Sequence, residues 1–201
     1  MIKNIVFDMG RVLIEYDPMR VCRQFIETES DREKVLDALF RSPEWIELDR
    51  GAITEEEAMV IVKERLSEEY LKDAAQKCMD EWDTYNIEPK AGMQELVEEL
   101  KAKGYHIYLL SNASHRLRTY QHIIPGINLF DGMIVSAEER CIKPDAEIYK
   151  RLFEKYDLVP EECFFIDDLQ ENIDGAKKCG MDGYCFADGN VERLKQFLQT
   201  F

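Results

Sequence analysis

Residues 5–13 read IVFDMGRVL, an apolar run that ends in a carboxylate at Asp8 and a turn at Gly10. Short, near-continuous apolar runs of this kind are typical of parallel strands that are covered on both faces. The runs that predict strands are Ile2–Phe7, His106–Leu110, Met133–Val135, Cys163–Ile166 and Gly183–Phe186, and the helical patterns between and after them are Gly92–Lys103, Asp145–Tyr156, Asn172–Cys179 and Val191–Leu198. This alternation predicts an α/β fold with a doubly wound, mainly parallel sheet.

One long segment interrupts the alternation of strands and helices. From about Pro18 to Trp82 the only signals are helical, and Thr54 with Glu57 forms a capping-box pattern that predicts a helix start. We therefore predict a Rossmann-like core made of residues 1–16 and 84–201, with a helical cap inserted at residues 17–83.

The chain is strongly acidic, with a formal net charge of −15 over 201 residues. This excess of negative charge argues against nucleic acid and against anionic membrane surfaces as partners, because proteins bind both through basic surfaces. The apolar stretch before Asp8 is too short for a signal peptide, and no run approaches the ~20 apolar residues of a membrane span. The six cysteines form no CxxC pair and have mostly apolar neighbours, which is typical of reduced thiols. These features predict a cytoplasmic protein and leave its oligomeric state open.

Polar residues stand at or just beyond the ends of the predicted strands, which is where open α/β sheets place their sites. Asp8 suits a nucleophile or a metal ligand, and it also suits a simple turn. Ser111 and Asn112, within YLLSNAS at residues 108–114, suit an anion site at a helix start or a plain helix cap.

Two further segments complete this set of strand-end residues. Lys143, within CIKPDAEIY at residues 141–149, offers a point charge to a phosphate oxygen, unless it is simply solvated. Asp167 and Asp168, within FFIDDLQEN at residues 164–172, repel each other unless a cation such as Mg²⁺ neutralises them. The alternative is an acidic helix start that the helix dipole favours. Each segment alone is a weak signal, whereas their order along successive strands is a strong one.

The four segments, taken in this order, resemble the motifs of the haloacid-dehalogenase superfamily, and the likeness covers essentially the whole chain. The segment LDRGAITEEEA, at residues 48–58, is more loosely similar to the branch that contains bacterial sugar-phosphate phosphatases of the α-glucose-1-phosphate type. The resemblance implies a Mg²⁺-dependent phosphatase with a helical cap, whose partner is a small phosphorylated metabolite such as a sugar phosphate.

The resemblance also implies a role for each residue of the first and last segments. Asp8 is the implied nucleophile, which would form an aspartyl-phosphate. Its carboxylate, the backbone carbonyl of Gly10 and the carboxylate of Asp168 would hold Mg²⁺, with Asp167 beside them.

The middle segments are implied to bind the phosphoryl group. Ser111 and the N–H groups that follow it, including that of Asn112, would bind its oxygens, and Lys143 would bridge the phosphate and the nucleophile. Two side chains near the site, Arg11 and His115, are further candidates for substrate contact, although each also suits an exposed position. Asn172 falls where many superfamily members carry a second acid, and it is expected to support a ligand at most.

The first motif departs from the superfamily pattern at Gly10, where a second aspartate is usual. In superfamily phosphatases that aspartate protonates the leaving oxygen and then activates water. Its replacement leaves three hypotheses. The first is a phosphatase whose acid comes from Asp17, Glu15 or a cap residue, or whose substrate, such as a sugar 1-phosphate or an acyl phosphate, has a good leaving group. The others are a binding protein without catalysis and a dehalogenase. The paired Asp167 and Asp168 disfavour the last, since true dehalogenases of the superfamily need no Mg²⁺.

Overall fold

The computed structural model describes residues 1–199. Its strands are β1 (Asn4–Phe7), β2 (Ile14–Tyr16), β3 (Ile87–Pro89), β4 (His106–Ser111), β5 (Gly132–Val135), β6 (Cys163–Asp167) and β7 (Asp182–Cys185). Its α-helices are α1 (Met19–Phe25), α2 (Glu29–Ala38), α3 (Pro43–Asp49), α4 (Glu55–Arg65), α5 (Glu69–Tyr85), α6 (Met93–Ala102), α7 (Leu117–Tyr120), α8 (Ser136–Glu139), α9 (Ala146–Tyr156), α10 (Gln170–Lys178) and α11 (Val191–Leu198). Each of the five strands predicted from an apolar run is present, with ends that differ by at most two residues.

Five of the strands form one parallel sheet in the order β5-β4-β1-β6-β7. The central strand β1 pairs with β4 on one side and with β6 on the other. The chain therefore adds β4 and β5 on one side of β1 and then crosses over to add β6 and β7 on the other side. The carboxyl end of β1, where Asp8 lies, is at the point where open α/β sheets bind their ligands.

The side chains of β1 alternate between two separate hydrophobic cores, as the pleat of a strand requires. Ile5 and Phe7 pack into a core that includes Leu96 of α6 and Leu194 of α11. Val6 packs into the opposite core, with partners from α9 and α10. Helices thus cover both faces of the sheet, and the predicted doubly wound α/β fold is confirmed.

The five helices α1–α5 lie between β2 and β3, which form a separate antiparallel ribbon. The register pairs Tyr16 with Ile87, and the N–H of Asp17 donates to the carbonyl oxygen of Asn86 at 2.9 Å. The sequence did not reveal this ribbon, because strands of three residues are too short to show a period. The division into a core and a cap at residues 17–83 stays a prediction.

The start of α4 has the local structure that its sequence predicts. The N–H of Glu57 donates to the Thr54 hydroxyl at 3.2 Å, and the N–H of Thr54 donates to the Glu57 carboxylate at 2.8 Å. This reciprocal capping box satisfies two of the free N–H groups at the helix start. Across residues 1–199, no helix has the length and apolar character that crossing a membrane requires.

Candidate active site

The carboxylate of Asp8 lies just past β1, where it is 7 % exposed. Its backbone N–H donates to the Ile166 carbonyl at 2.9 Å, which continues the pairing with β6. The Nζ atom of Lys143 lies 2.6 Å from Asp8 Oδ1 and 2.7 Å from Asp167 Oδ2. The parallel sheet thus brings residues from three of the sequence segments into direct contact.

The backbone of Lys143 is held by the side chain of Asn112. The Asn112 amide donates to the Lys143 carbonyl at 3.0 Å, and its oxygen accepts from the Lys143 N–H at 2.8 Å. Because the Lys143 side chain is buried as well, it has little freedom to leave the carboxylates. Asn112 therefore positions Lys143, a task that the sequence did not indicate.

The two adjacent acids of β6 differ in their surroundings. Asp167 is fully buried, and its carboxylate accepts from Lys143, from the Asn172 amide at 3.0 Å and from the Leu169 N–H at 2.8 Å. Asp168 is half-buried, and its carboxylate makes no hydrogen bond to another side chain within residues 1–199. Burial, with the nearby charge of Asp167, raises the pKa of Asp168. Asp168 is thus the acid with oxygen atoms free for a ligand, while Asn172 supports its neighbour.

Three carboxylates meet at this point, since Asp8, Asp167 and Asp168 each place an oxygen within 4.8 Å of the others. Lys143 is the single cation in contact with them among the described residues, so an excess of two negative charges remains. Burial raises the pKa of Asp8 to about 7; Lys143 opposes the shift, and the charges of Asp167 and Asp168 add to it. Oxygen ligands with a net charge of minus two fit one Mg²⁺ ion.

A cavity of about 270 Å³ opens above these carboxylates. Its floor includes Asp8, Lys143 and Asp168, and its opposite wall is apolar and largely aromatic. The indole of Trp82 is the centre of that wall, with ring centroids 5.5 Å from Trp45 and 5.4 Å from Tyr120. The wall consists of Ile14, Tyr16, Trp45, Trp82, Ile87 and Tyr120.

Two hydroxyl groups near the site are buried without a hydrogen-bond partner among the described residues. They are Oγ of Ser111, at the end of β4, and Oη of Tyr16, on the cavity wall. A buried polar group without a partner costs about 1–3 kcal/mol, so both hydroxyls are suited to a ligand that supplies one.

The loop that follows Asp8 contributes Gly10 and Arg11 to the cavity lining. A Cβ atom at Gly10 would meet no atom within 4 Å, so the position of the usual second aspartate is open space. Arg11 is exposed and has a φ of 58°, a left-handed conformation that costs a non-glycine residue about 1–3 kcal/mol. Its charge lowers the pKa of Asp168, although burial of that carboxyl has the larger, opposite effect.

The candidates Ser111 and Asp167 are buried and do not line the cavity, and three more exposed candidates do not line it either. His115 is exposed and does not line it. Asp17 caps α1 by accepting from the Met19 N–H at 2.9 Å, and Glu15 pairs with Lys90. Neither acid lines the cavity, so neither side chain is placed to contact a ligand bound there.

Two charged residues at or beside the cavity were not singled out from the sequence, and neither were Ile14, Tyr16, Ile87 and Tyr120 of its wall. Asp49, the last residue of α3, lines the cavity together with Asp8. Arg116 binds the Glu55 carboxylate through two nitrogen atoms and donates to the Met79 carbonyl at 2.7 Å and to the Asp80 carbonyl at 3.0 Å. It thereby ties the segment after β4 to both α4 and α5.

The family model of haloacid dehalogenase-like hydrolases matches residues 2–180. The chain belongs to this family. A sesquiterpene phosphatase of Aspergillus oryzae is 29 % identical over 190 residues, covering 92 % of this chain and 90 % of the relative. A D-ribitol-5-phosphate phosphatase of Bacteroides thetaiotaomicron is 26 % identical over 196 residues, covering 92 % and 91 %.

Among solved structures, a family enzyme from Bacteroides thetaiotaomicron superposes with a TM-score of 0.70. It is 26 % identical, covers 92 % of this chain and 93 % of its own, and was crystallised with magnesium and inorganic phosphate. The predicted family is therefore confirmed, and the relatives agree with the predicted phosphatase class.

Proposed function

We propose that the protein is a Mg²⁺-dependent phosphatase that hydrolyses a small phosphomonoester through a phosphorylated Asp8. The observation that carries the proposal is the contact of Lys143 with Asp8 and Asp167, beside the free carboxylate of Asp168, on the floor of a cavity. Phosphoryl transfer depends on positioning and on neutralising the charge of the phosphoryl oxygens, and a carboxylate held by an ammonium group next to a cation site supports both.

Each polar residue at the carboxyl edge of the sheet then has a distinct task. Asp8 attacks phosphorus and Lys143 offers its charge to a phosphoryl oxygen, while the Ser111 hydroxyl and the Asn112 N–H are donors for the remaining oxygens. Asp8, Asp168 and the Gly10 carbonyl would hold the metal, and Asp167 keeps Lys143 in place. When bound, Mg²⁺ supplies positive charge that stabilises the oxygens of the transferred group.

The cavity limits the alcohol part of the substrate. Its volume of about 270 Å³ suits a compact molecule, and its wall offers aromatic faces around Trp82. The sugar phosphate suggested by the sequence fits if its C–H faces pack against this wall, with the Tyr16 hydroxyl available to one oxygen. The two relatives are named for a sesquiterpene substrate and for D-ribitol 5-phosphate, so both apolar and polyol phosphates belong in a substrate screen.

The contacts of the floor favour catalysis over the two other hypotheses. The contact of Lys143 with Asp8 beside a cluster of acids that suits a cation, together with relatives that are named as phosphatases, supports catalysis over binding alone. A dehalogenase would have no use for the excess negative charge around Asp168.

The test is phosphate release from a panel of sugar, polyol, prenyl and aryl phosphates, with Mg²⁺ and with EDTA. The wild type is compared with Asp8→Asn and with Asp182→Asn, a matched control because Asp182 is exposed at the start of β7. We expect Mg²⁺-dependent turnover in the wild type and the control, and none in Asp8→Asn. Absence of turnover in the wild type, or turnover that survives in Asp8→Asn, would refute the proposal.

A further inference from the structure

The missing aspartate at Gly10 leaves the reaction without a proton donor on the loop that follows β1. Within residues 1–199, the carboxyl groups that line the cavity are those of Asp8, Asp49 and Asp168. Asp8 is held by Lys143 as the nucleophile, and Asp168 lies in the cluster of acids that suits a cation. Asp49 is the remaining carboxyl group, which serves neither as the nucleophile nor in the cation site.

Asp49 is also fixed relative to the sheet, which a proton donor requires. Its carbonyl oxygen accepts from the hydroxyl of Ser136, the first residue of α8. Two residues further on, Gly51 lies so close to Ala137 that a Cβ atom there would be 2.3 Å from the Ala137 carbonyl oxygen. The end of α3 is thus anchored to the segment that follows β5, on the side of the sheet where the carboxylates lie.

We infer that Asp49 is the general acid and base of the reaction and replaces the aspartate absent at Gly10. The inference rests on the proposed function. As the bond from Asp8 to phosphorus forms and the bond to the alcohol oxygen breaks, the Asp49 carboxyl gives its proton to that oxygen. Its carboxylate then takes a proton from water while the water oxygen bonds to phosphorus and the bond to Asp8 breaks. Both groups return to their starting state.

The electrostatic surroundings of Asp49 agree with this role. Burial raises the pKa of its carboxyl to about 7, and the negative charge of Asp8 adds to the effect, while the Ser114 backbone and Lys143 oppose it. A group with such a pKa carries a proton for part of the time near neutral pH, as a catalyst that both gives and takes protons must.

The inference is tested with two substrates that differ in their need for an acid. The alkyl phosphate that the wild type turns over fastest in the panel releases a basic alkoxide, whereas p-nitrophenyl phosphate releases a stable phenolate. Asp49→Asn is compared with Glu47→Gln, a control on the same helix that lies outside the cavity. We expect Asp49→Asn to lower kcat/KM for the alkyl phosphate by about 10²–10⁴-fold and to leave that for the aryl phosphate within tenfold.

The second half of the reaction gives an independent readout. With p-nitrophenyl phosphate, Asp49→Asn should release one equivalent of phenolate in a burst and then slow down, with a phosphoryl group on Asp8 detected by intact mass. Equal losses for both substrates without a burst would overturn the inference, as would a higher KM with an unchanged kcat. The ratio of the two substrates does not depend on how much of a variant folds, because both are measured on one sample.

A third test asks whether an aspartate placed at position 10, where the superfamily pattern has one, restores the activity that Asp49→Asn loses. Since a Cβ at Gly10 meets no atom within 4 Å, Gly10→Asp can be added to Asp49→Asn without a clash at that atom. Alkyl turnover restored by Gly10→Asp but not by Gly10→Asn supports proton transfer by Asp49. Equal results from the two second substitutions would contradict it. A wild type inactive on the whole panel would instead refute the proposed function itself.

Discussion

The ammonium group of Lys143 lies 2.6 Å from the carboxylate of Asp8, although 135 positions separate the two residues in the chain. Both side chains are buried, and the same ammonium group also contacts Asp167. Lys143 is therefore the group that allows two buried carboxylates to lie together at the carboxyl ends of β1 and β6.

Replacing Lys143 by Met should destabilise the protein as well as abolish turnover. Removing one partner of a buried ion pair leaves an uncompensated charge, and we expect a loss of about 3–5 kcal/mol of unfolding free energy in metal-free buffer at high pH. Urea unfolding measures this loss. Lys155→Met is the control, because Lys155 forms an exposed pair with Glu139 and should change stability by no more than about 1 kcal/mol. Similar urea midpoints for the two variants would contradict the prediction.

Stability should depend on pH through the carboxyl groups of the cavity. Burial raises the pKa of Asp8 and of Asp49 to about 7, well above the value of about 4 in an unfolded chain. The folded protein therefore holds protons that the unfolded chain releases, so this contribution is complete below about pH 4 and is lost as the pH rises through about 7. We expect the Tm of metal-free protein to fall over this interval.

Magnesium should reverse that loss. A cation competes with protons for the carboxylates, so the rise in Tm caused by Mg²⁺ should be larger at about pH 8 than at about pH 5. The rise should shrink in Asp168→Asn and persist in Asp182→Asn. A rise that is independent of pH would show that the ion acts elsewhere.

Substitution of Arg116 should loosen the contact between the segment after β4 and helices α4 and α5. Arg116→Ala removes hydrogen bonds to a carboxylate and to two carbonyl groups, and each bond to a charged group is worth about 1.5–3 kcal/mol. We expect faster amide hydrogen exchange in α4 and α5 and a higher KM. Arg118→Ala is the control, since Arg118 binds Glu138 and contacts neither helix through a hydrogen bond. Exchange that is equal in the two variants would argue against this contact.

Removal of the Tyr16 hydroxyl should stabilise the protein without ligand. Because that hydroxyl is buried without a partner in the described chain, Tyr16→Phe is expected to raise the free energy of unfolding by about 1 kcal/mol. Tyr70→Phe is the comparison, since the Tyr70 hydroxyl donates to Asp31 at 2.9 Å and its loss should give no gain. If the hydroxyl meets substrate, Tyr16→Phe will also lower kcat/KM for polyol phosphates. A decrease in stability would contradict the prediction.

The sequence predicted the sheet and the floor of the site because both depend on local signals. Apolar runs mark buried parallel strands, and the carboxyl ends of such strands meet at one edge. Asp8 and Asp167 therefore come together because β1 and β6 pair in parallel, whereas Lys143, which lies beyond β5 and α8, is held beside them through the contact of its backbone with Asn112. Their individual catalytic roles stay predictions until the variants are measured.

The wall of the site depends on packing that no local pattern encodes. Asp49 reaches the cavity only because the end of α3 is anchored at Ser136, a contact between distant parts of the chain. His115 and Arg116 are neighbours in sequence, yet the first points to solvent and the second towards α4 and α5. Both residues lie in the turn before α7, so a rotation of the backbone by one residue would exchange the directions of their side chains. Tertiary contacts fix that rotation, and the local sequence does not show them.

The antiparallel ribbon of β2 and β3 brings together the two ends of the segment that holds α1–α5. Tyr16 and Ile87 are direct partners, so a two-residue Asn-Gly hairpin loop could connect them in place of residues 17–86. The helices could in the same way be exchanged for those of a relative without altering the strand register. Evolution can use this arrangement as well: because the two ends of the segment 17–86 lie side by side, that segment is free to diverge while Asp8 and Asp167 stay at the carboxyl edge of the sheet.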